Sequence, residues 1–255
     1  MSDRLTALHS SVERLRDIVE GLDPQQLELP AYPVEWSIAD VLSHIGSGAI
    51  NLRRRFDDIN NGRETDPDFN QSVWDEWNAK SPVARAADAL VADAELLHGL
   101  EALDDSSRRQ FRFSMGPMNL DFTGFVGLRL NEHALHTWDV EVALDPTAIL
   151  PADAAGAVVD NLEMITRFAG KPSGEVRTVS VHTVDPERDF TVSLTSDAVA
   201  LAPGDPTDSP DLEIPAEAFV RLVCGRLDPA HTPPIPGAGA GAGALDELRP
   251  VFPGL

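Results

Sequence analysis

The chain has 255 residues and a formal net charge of −22, from 42 acidic and 20 basic side chains. This charge makes nucleic acid and anionic membrane surfaces poor partners, and no apolar run reaches the roughly 18 residues of a membrane span. The single cysteine, Cys224, excludes an intramolecular disulfide framework, and no signal peptide precedes the first amphipathic segment, so we expect a cytoplasmic protein.

Apolar residues recur at three- and four-residue steps through the first half of the chain, and this pattern predicts five helices. Their predicted ranges are 2–21, 38–60, 69–77, 82–103 and 121–144. Ser2, Ser37 and Ser81 are predicted N-caps, and Asp40 completes a capping box with Ser37. Residues 104–116 are interpreted as a polar connection. The four long helices favour an antiparallel bundle, in whose core facing helices can build a metal site.

The second half of the chain has a different pattern. After a predicted helix over 152–169, the apolar period changes to two from Val176, which predicts a β-hairpin whose return strand begins at Phe190. A helix is predicted over 216–227, and the Gly/Ala-rich stretch 233–244 is interpreted as a flexible loop. We therefore predict an α+β fold with two domains, a four-helix bundle over 1–171 and a smaller α/β domain over 172–255.

Three side chains form a candidate metal site. Glu132 and His136 stand four apart on a predicted helix and project from the same face, and His44 on the second helix could face them across the bundle. Two imidazoles and one carboxylate bind zinc and leave one position open for water or substrate. Taken singly, a helix histidine is usually only hydrogen-bonded, and a Glu-His pair is usually a surface pair. The same ligands could hold iron(II), which we rank lower because such centres are usually built on β-barrels.

Two motifs carry a family resemblance, Trp-x-x-x-Asp-x-x-x-His and Glu-x-x-x-His-x-Trp-Asp. They stand at Trp36, Asp40 and His44, and at Glu132, His136, Trp138 and Asp139. Together they resemble the mycothiol-dependent maleylpyruvate isomerase family of the DinB-like helical bundle superfamily. Helix order and the small C-terminal domain agree, so the resemblance covers essentially the whole chain. It implies a divalent metal, usually zinc, held by His44, Glu132 and His136, with mycothiol or a related small thiol as cosubstrate.

The resemblance also implies a chemistry. A free thiol, with a pKa near 8.5, is mostly protonated at neutral pH, whereas a zinc-bound thiol is a thiolate that can attack an electrophilic small molecule. An isomerase would release the thiol again, and a transferase would keep the adduct. The family's isomerases carry an arginine in the connection after the histidine helix, but none lies between Arg63 and Arg85 here. We therefore rank maleylpyruvate isomerisation below general thiol transfer. A noncatalytic protein that sequesters a metal or small molecule fits the three ligands equally well.

Other residues complete the candidate site. Asn51 and Arg55 return to the helix face of His44, and with Arg129 they are predicted to contact substrate; Arg55 could replace the missing arginine. Asp139 could orient His136 through a hydrogen bond, or simply lie on the helix surface or pair with Arg129. The adjacent His133 points about 100° away around the helix and is interpreted as noncoordinating. Trp36 and Trp138 are predicted core residues, and a homodimer is compatible with the sequence.

Overall fold

The computed structural model describes residues 3–116, 118–235 and 240–254. The chain divides into two compact units, Met1–Ala148 and Ile149–Leu255. The helices of the first unit are α1 (Asp3–Glu20), α2 (Ile38–Asn60), α3 (Phe69–Asn78), α4 (Pro82–Ala102), α5 (Asp105–Gln110) and α6 (Phe122–Leu144). A short antiparallel pair, β1 (Phe113–Met115) and β2 (Met118–Leu120), precedes α6. None of the described helices combines the length and apolarity needed to cross a membrane.

The caps of the long helices follow the sequence. The Ser37 hydroxyl accepts a hydrogen bond from the Asp40 amide at 3.1 Å, and the Asp40 carboxylate accepts one from the Ser37 amide at 2.9 Å. This capping box fixes where α2 begins. Ser81 caps α4 with a proline in the first turn, and Asp121 caps α6. The predicted cap at Ser2 lies outside the described residues.

The direction of two bundle helices differs from the prediction. Arg85 near the start of α4 pairs with Asp40 near the start of α2, and Arg53, farther along α2, donates to the Glu95 carbonyl farther along α4. The two helices therefore run parallel, as do α1 and α6, whereas α2 and α6 run antiparallel. The connection 61–81, which contains α3, returns the chain to the starting end of the bundle before α4 begins. The prediction of an antiparallel bundle was therefore wrong for the pairs α2/α4 and α1/α6.

Close packing joins α2 to α3 and α4. A Cβ on Gly46 would lie 2.1 Å from the Trp77 ring and 2.9 Å from the Cα of Ala89, so only glycine permits this approach. At the other end of the bundle, Phe111 and Phe113 pack on Phe125 with ring centroids 5.2 and 5.1 Å apart. The polar connection predicted over 104–116 is thus partly wrong, because it contains α5 and β1 and buries two aromatic rings.

The described residues of the second unit form four α-helices and four strands. They are α7 (Ala152–Val159), α8 (Leu162–Ala169), β3 (Arg177–Val184), β4 (Arg188–Leu194), β5 (Val199–Pro203), β6 (Leu212–Pro215), α9 (Ala216–Val223) and α10 (Ala240–Leu248). The sheet order is β5-β4-β3-β6, with β6 parallel to β3 and the other pairs antiparallel. The predicted hairpin is therefore present. The predicted helix over 152–169 is two helices, and 240–244 is helical rather than a loop, while 236–239 lie outside the described residues.

The helices α7 and α8 belong to this second unit. The first packs on α9, and the second packs on α9 and β5. The sequence prediction assigned both to the bundle by placing the domain boundary at residues 171 and 172, whereas the compact units meet at residues 148 and 149. Helical periodicity cannot distinguish a helix that covers a sheet from one that joins a bundle. The division into a bundle domain over 1–171 and an α/β domain over 172–255 stays a prediction.

Candidate metal centre

The three predicted metal ligands converge between the antiparallel helices α2 and α6. Glu132 Oε2 lies 3.2 Å from His44 Nε2 and 3.7 Å from His136 Nε2. One ligand atom from each residue lies within 4.8 Å of the other two. Ligand atoms of a tetrahedral zinc site, each about 2.0–2.1 Å from the metal, are roughly 3.3 Å apart. The donor set and its spacing therefore fit a divalent metal ion.

The centre is open on one side. His44 and Glu132 have 42% and 45% of their side-chain surface exposed, whereas His136 has 11%. His136 thus anchors the group in the bundle, and the other two residues form its rim. Three protein ligands with a solvent-accessible side leave room for a further ligand, as in catalytic rather than structural zinc sites.

The electrostatics favour an ionised Glu132. Partial burial of the carboxyl group would raise its pKa, but hydrogen bonds and electrostatic interactions with His136 and His44 hold the pKa of Glu132 well below its usual value. The group is therefore a carboxylate at neutral pH. Metal binding requires this deprotonated form, so Glu132 needs no proton loss to act as a ligand.

Asp139 is hydrogen-bonded to His136. Its carboxylate Oδ2 lies 2.8 Å from His136 Nδ1, and its side chain is fully buried. A proton on Nδ1 that is donated to Asp139 leaves Nε2, the atom that faces Glu132, free of a proton. Carboxylate-histidine pairs of this kind set the tautomer and the ring orientation of metal ligands. The geometry supports the orienting role that the sequence suggested, which stays a proposal.

We expect Asp139→Asn to lower the affinity for zinc by about 10- to 100-fold, because the neutral amide is a weaker acceptor for the His136 ring. The near-identical volume of asparagine keeps the packing. Competition with a chromophoric chelator would measure the affinity. Asp160→Asn, which removes a carboxylate from an exposed ion pair with Arg188, is the control and should leave it unchanged. Equal affinities of the Asp139→Asn variant and the unaltered protein would contradict the orienting role.

Trp36 lies against the centre, and its predicted place in the core was wrong. Its half-buried ring is 5.4 Å from the His44 ring and stacks on His136 at 6.1 Å with an interplanar angle of 18°. A tight loop holds it there, since the Ala31 amide donates to the Trp36 carbonyl at 2.9 Å and the Trp36 amide to the Pro33 carbonyl at 2.7 Å. Trp138 is a core residue as predicted, with 1% exposure.

The three predicted substrate contacts lie in different surroundings. Asn51 is buried, and its side-chain oxygen has no hydrogen-bond partner among the described residues. Arg55 is half-buried and forms no ion pair with any carboxylate in the described ranges. Arg129 is 3% exposed, and its guanidinium donates to the Ile45 carbonyl and to Asp93. In place of a substrate contact, we propose that Arg129 positions α2 against α6.

Sequence reasoning missed a buried network beside the ligands. Asp93 on α4 lies 3.0 Å from His133 Nε2 and pairs with Arg129, and Ser11 on α1 lies 2.8 Å from His133 Nδ1. Burial alone would raise the pKa of Asp93, but His133 and Arg129 lower it. Burial lowers the pKa of His133 more than Asp93 raises it, so the ring is neutral at neutral pH. The network ties α1 and α4 to the helix that carries Glu132 and His136.

Arg85 is the second residue that the sequence analysis left outside the site. It reaches from α4 to Asp40, one helical turn before His44, with Nη1 at 2.6 Å from the carboxylate. Its Nη2 and Nε donate to the carbonyls of Asn78 and Trp77 at 2.9 and 3.3 Å. The arginine thus reinforces the start of α2. No sequence signal could place it there, because the contact joins residues 45 positions apart.

Comparison with known proteins agrees with this description. The model of the mycothiol maleylpyruvate isomerase N-terminal domain matches residues 8–141. A crystal structure of the mycothiol-dependent maleylpyruvate isomerase is similar, with 15% identity, a TM-score of 0.64 and 88% of each chain covered. A crystal structure of a histidine-to-alanine mutant of the mycothiol-dependent maleylpyruvate isomerase is also similar, with 14% identity, a TM-score of 0.64 and 88% of each chain covered. At such identities these likenesses show the fold alone. A search of curated proteins found no significant match.

The matched range covers slightly more than half of the chain and contains both motifs, from Trp36 to His44 and from Glu132 to Asp139. It also contains all three residues of the candidate metal centre. The chain therefore belongs to the mycothiol maleylpyruvate isomerase family.

Proposed function

We propose that the protein is a metal-dependent enzyme that joins mycothiol, or a related small thiol, to an electrophilic small molecule. The observation that carries this proposal is the convergence of His44, Glu132 and His136 at a centre with an open side. Membership of a family named for a mycothiol-dependent isomerase supports the choice of thiol. We also propose a cytoplasmic location, where low-molecular-weight thiols are kept reduced.

The roles of the chain's residues follow from their positions. A divalent metal held at the centre would lower the pKa of a coordinating thiol, so that the thiolate predominates at neutral pH. His136 is held in the ligand tautomer by Asp139, and Glu132 supplies the negative charge of the site. Trp36 covers the two imidazoles on one side and limits the access of water there.

The charges around the centre favour thiol transfer over isomerisation of a small dicarboxylate. Arg85 on α4 is paired with Asp40, which lies one helical turn before His44 on α2. Arg55 forms no ion pair with the carboxylates that the structure describes, but it lies eleven residues from His44, or roughly 16 Å along the helix axis. A small dicarboxylate at the metal cannot span that distance. We propose that Asn51 and Arg55 bind the distal part of an elongated ligand, such as the thiol or its conjugate.

Two incubations of the zinc-loaded protein with mycothiol test the proposal. One contains maleylpyruvate, and the other contains a neutral alkylating electrophile. Mass spectrometry would identify the products. We expect a stoichiometric mycothiol adduct of the electrophile. Conversion of maleylpyruvate to its trans isomer without net loss of thiol would instead identify an isomerase. Tight binding of the thiol without any product would identify a sequestering protein.

A further inference from the structure

A cavity in the helical unit is lined by three arginines and the start of α6. Its volume is about 420 Å³, and Arg108, Arg109 and Arg112 share it with Phe122 and Thr123. This volume lies within the range of small-molecule sites. Phe122 precedes Glu132 by ten residues on one helix, which separates the cavity from the metal centre by roughly 15 Å. A ligand in this cavity would therefore not contact the metal ligands.

The arginines of this cavity differ from several other arginines of the bundle in forming no direct ion pair with a described carboxylate. The chain has 42 acidic and only 20 basic side chains. Other arginines of the bundle, such as Arg53, Arg54 and Arg129, form ion pairs with aspartates. Across the ranges that the structure describes, none of the three cavity arginines has a carboxylate within ion-pair distance. Three guanidinium groups thus meet at one place without a direct ion pair to any described residue, although Asp104 interacts with Arg109 at longer range.

Two of the three arginines are held in place by the protein. Arg108 donates through Nη2 to the carbonyls of Leu100 and Glu101, at 3.3 and 3.0 Å, and its guanidinium carbon lies 5.1 Å from the centre of the Phe122 ring. Its buried Nε has no hydrogen-bond partner among the described residues. Arg112 donates through Nη1 to the carbonyls of Arg109 and Phe111, at 2.9 and 2.6 Å. The Arg109 side chain is exposed and completes the group.

Two carboxylates also line the cavity, Asp105 and Asp121. Asp121 is the N-cap of α6, and its Oδ1 accepts a hydrogen bond from the Gly124 amide at 2.8 Å. The amides of Phe122 and Thr123, the first two of α6, have no partner within the helix. Three cationic side chains against two anionic ones leave the lining net positive, and the helix N-terminus adds a partial positive charge.

We propose that this arginine-lined cavity binds a small molecule that carries a phosphate group. The planar guanidinium fork matches phosphate oxygens, and three such groups with two amides offer more donors than the two oxygens of one carboxylate accept. A polyanion such as nucleic acid is excluded by the net charge of −22, so the ligand is small. The proposal stands independently of the chemistry at the metal centre.

Titration of the zinc-loaded, ¹⁵N-labelled full chain with inorganic phosphate and, separately, with phenyl phosphate tests this proposal. Backbone amide shifts report where each probe binds. We expect saturable shifts at Phe122 and Thr123, and an affinity about 10-fold or more lower in the double variant Arg109→Ala/Arg112→Ala. The control Arg16→Ala/Arg167→Ala changes the net charge equally at two arginines outside the cavity lining, each of which pairs with a glutamate of its own helix, and should retain the affinity. If the double variant fails to fold, the single variant Arg109→Gln replaces it in the titration, because Arg109 is exposed.

The outcomes separate the sources of the ligand. Tighter binding of phenyl phosphate would assign a phosphate ester, and equal binding would assign inorganic phosphate. Unsaturable shifts, or an equal loss in the double variant and the control pair, would overturn the site. Equal binding of succinate would overturn the choice of phosphate over carboxylate.

Discussion

Replacing His44 by alanine should lower the affinity for zinc by more than about 100-fold and abolish turnover, while the free energy of unfolding changes by less than about 1 kcal/mol. Removing a residue that only orients a metal ligand lowers metal affinity by about 10- to 100-fold, and removing a ligand itself should lower it further. The fold survives because 42% of the His44 side chain is exposed and its side-chain hydrogen bond is with Glu132, which is also partly exposed. Exposed changes of this kind rarely alter stability by more than about 0.5 kcal/mol.

Equilibrium dialysis with zinc, denaturant unfolding and a thiol-transfer assay measure the three quantities. His136→Ala should lose zinc and activity to the same extent but also lose stability, because the His136 ring is largely buried and is hydrogen-bonded to the Asp139 carboxylate. His98→Ala is the control, an exposed histidine of α4 outside the ligand set. Full activity of a zinc-free His44→Ala or His136→Ala protein would refute the metal mechanism.

Removal of the Asp93 carboxylate should give the largest loss of stability. Asp93→Ala is expected to lower the free energy of unfolding by about 3–5 kcal/mol, the usual cost of leaving a buried charge unpaired, because Arg129 stays in the bundle core without its counter-charge. His133 and Arg129 hold the pKa of Asp93 below its usual value. This stabilisation is therefore present above the usual pKa of an aspartate and lost as the pH falls through the lowered one.

Urea unfolding at neutral pH measures this effect. Asp57→Ala is the matched control, because Asp57 also pairs with an arginine, Arg53, but on the helix surface with 39% exposure. We expect that variant to lose less than about 1 kcal/mol. A triple variant with Asp93, Arg129 and His133 all replaced by leucine or methionine should recover part of the loss, since no buried charge then remains. Equal losses in Asp93→Ala and Asp57→Ala would contradict the structural role of the network.

Local signals in the sequence made much of the candidate metal centre predictable. The capping box of Ser37 and Asp40 fixes the start of α2 and hence the face on which His44 lies. The four-residue spacing of Glu132 and His136 fixes their common face on α6. Once both helices are placed in an antiparallel pair, the three side chains meet. Helix boundaries and faces depend on residues that are close in the sequence, and they could therefore be predicted from it.

Contacts between residues far apart in the sequence could not be predicted in this way. The contacts of Asp93 with His133 and of Arg85 with Asp40 join residues 40 and 45 positions apart, and no motif marks them. The parallel course of α2 and α4 depends on how the connection 61–81 crosses the bundle, which periodicity does not encode. Trp36 was assigned to the core because an aromatic residue near an amphipathic helix is usually buried, whereas the loop 30–37 turns it toward the two histidines.

Cobalt(II) substitution offers the most direct test of thiol binding at the metal centre, because the absorption of cobalt reports its ligands. Spectra would be recorded before and after addition of mycothiol, with glutathione and cysteine as controls. We expect cobalt to bind with a four- or five-coordinate spectrum and a new near-ultraviolet sulfur-to-metal band to appear with mycothiol. Cobalt binding with no change on addition of any thiol would contradict thiol activation, and absence of cobalt binding would contradict the assignment of His44, Glu132 and His136 as ligands.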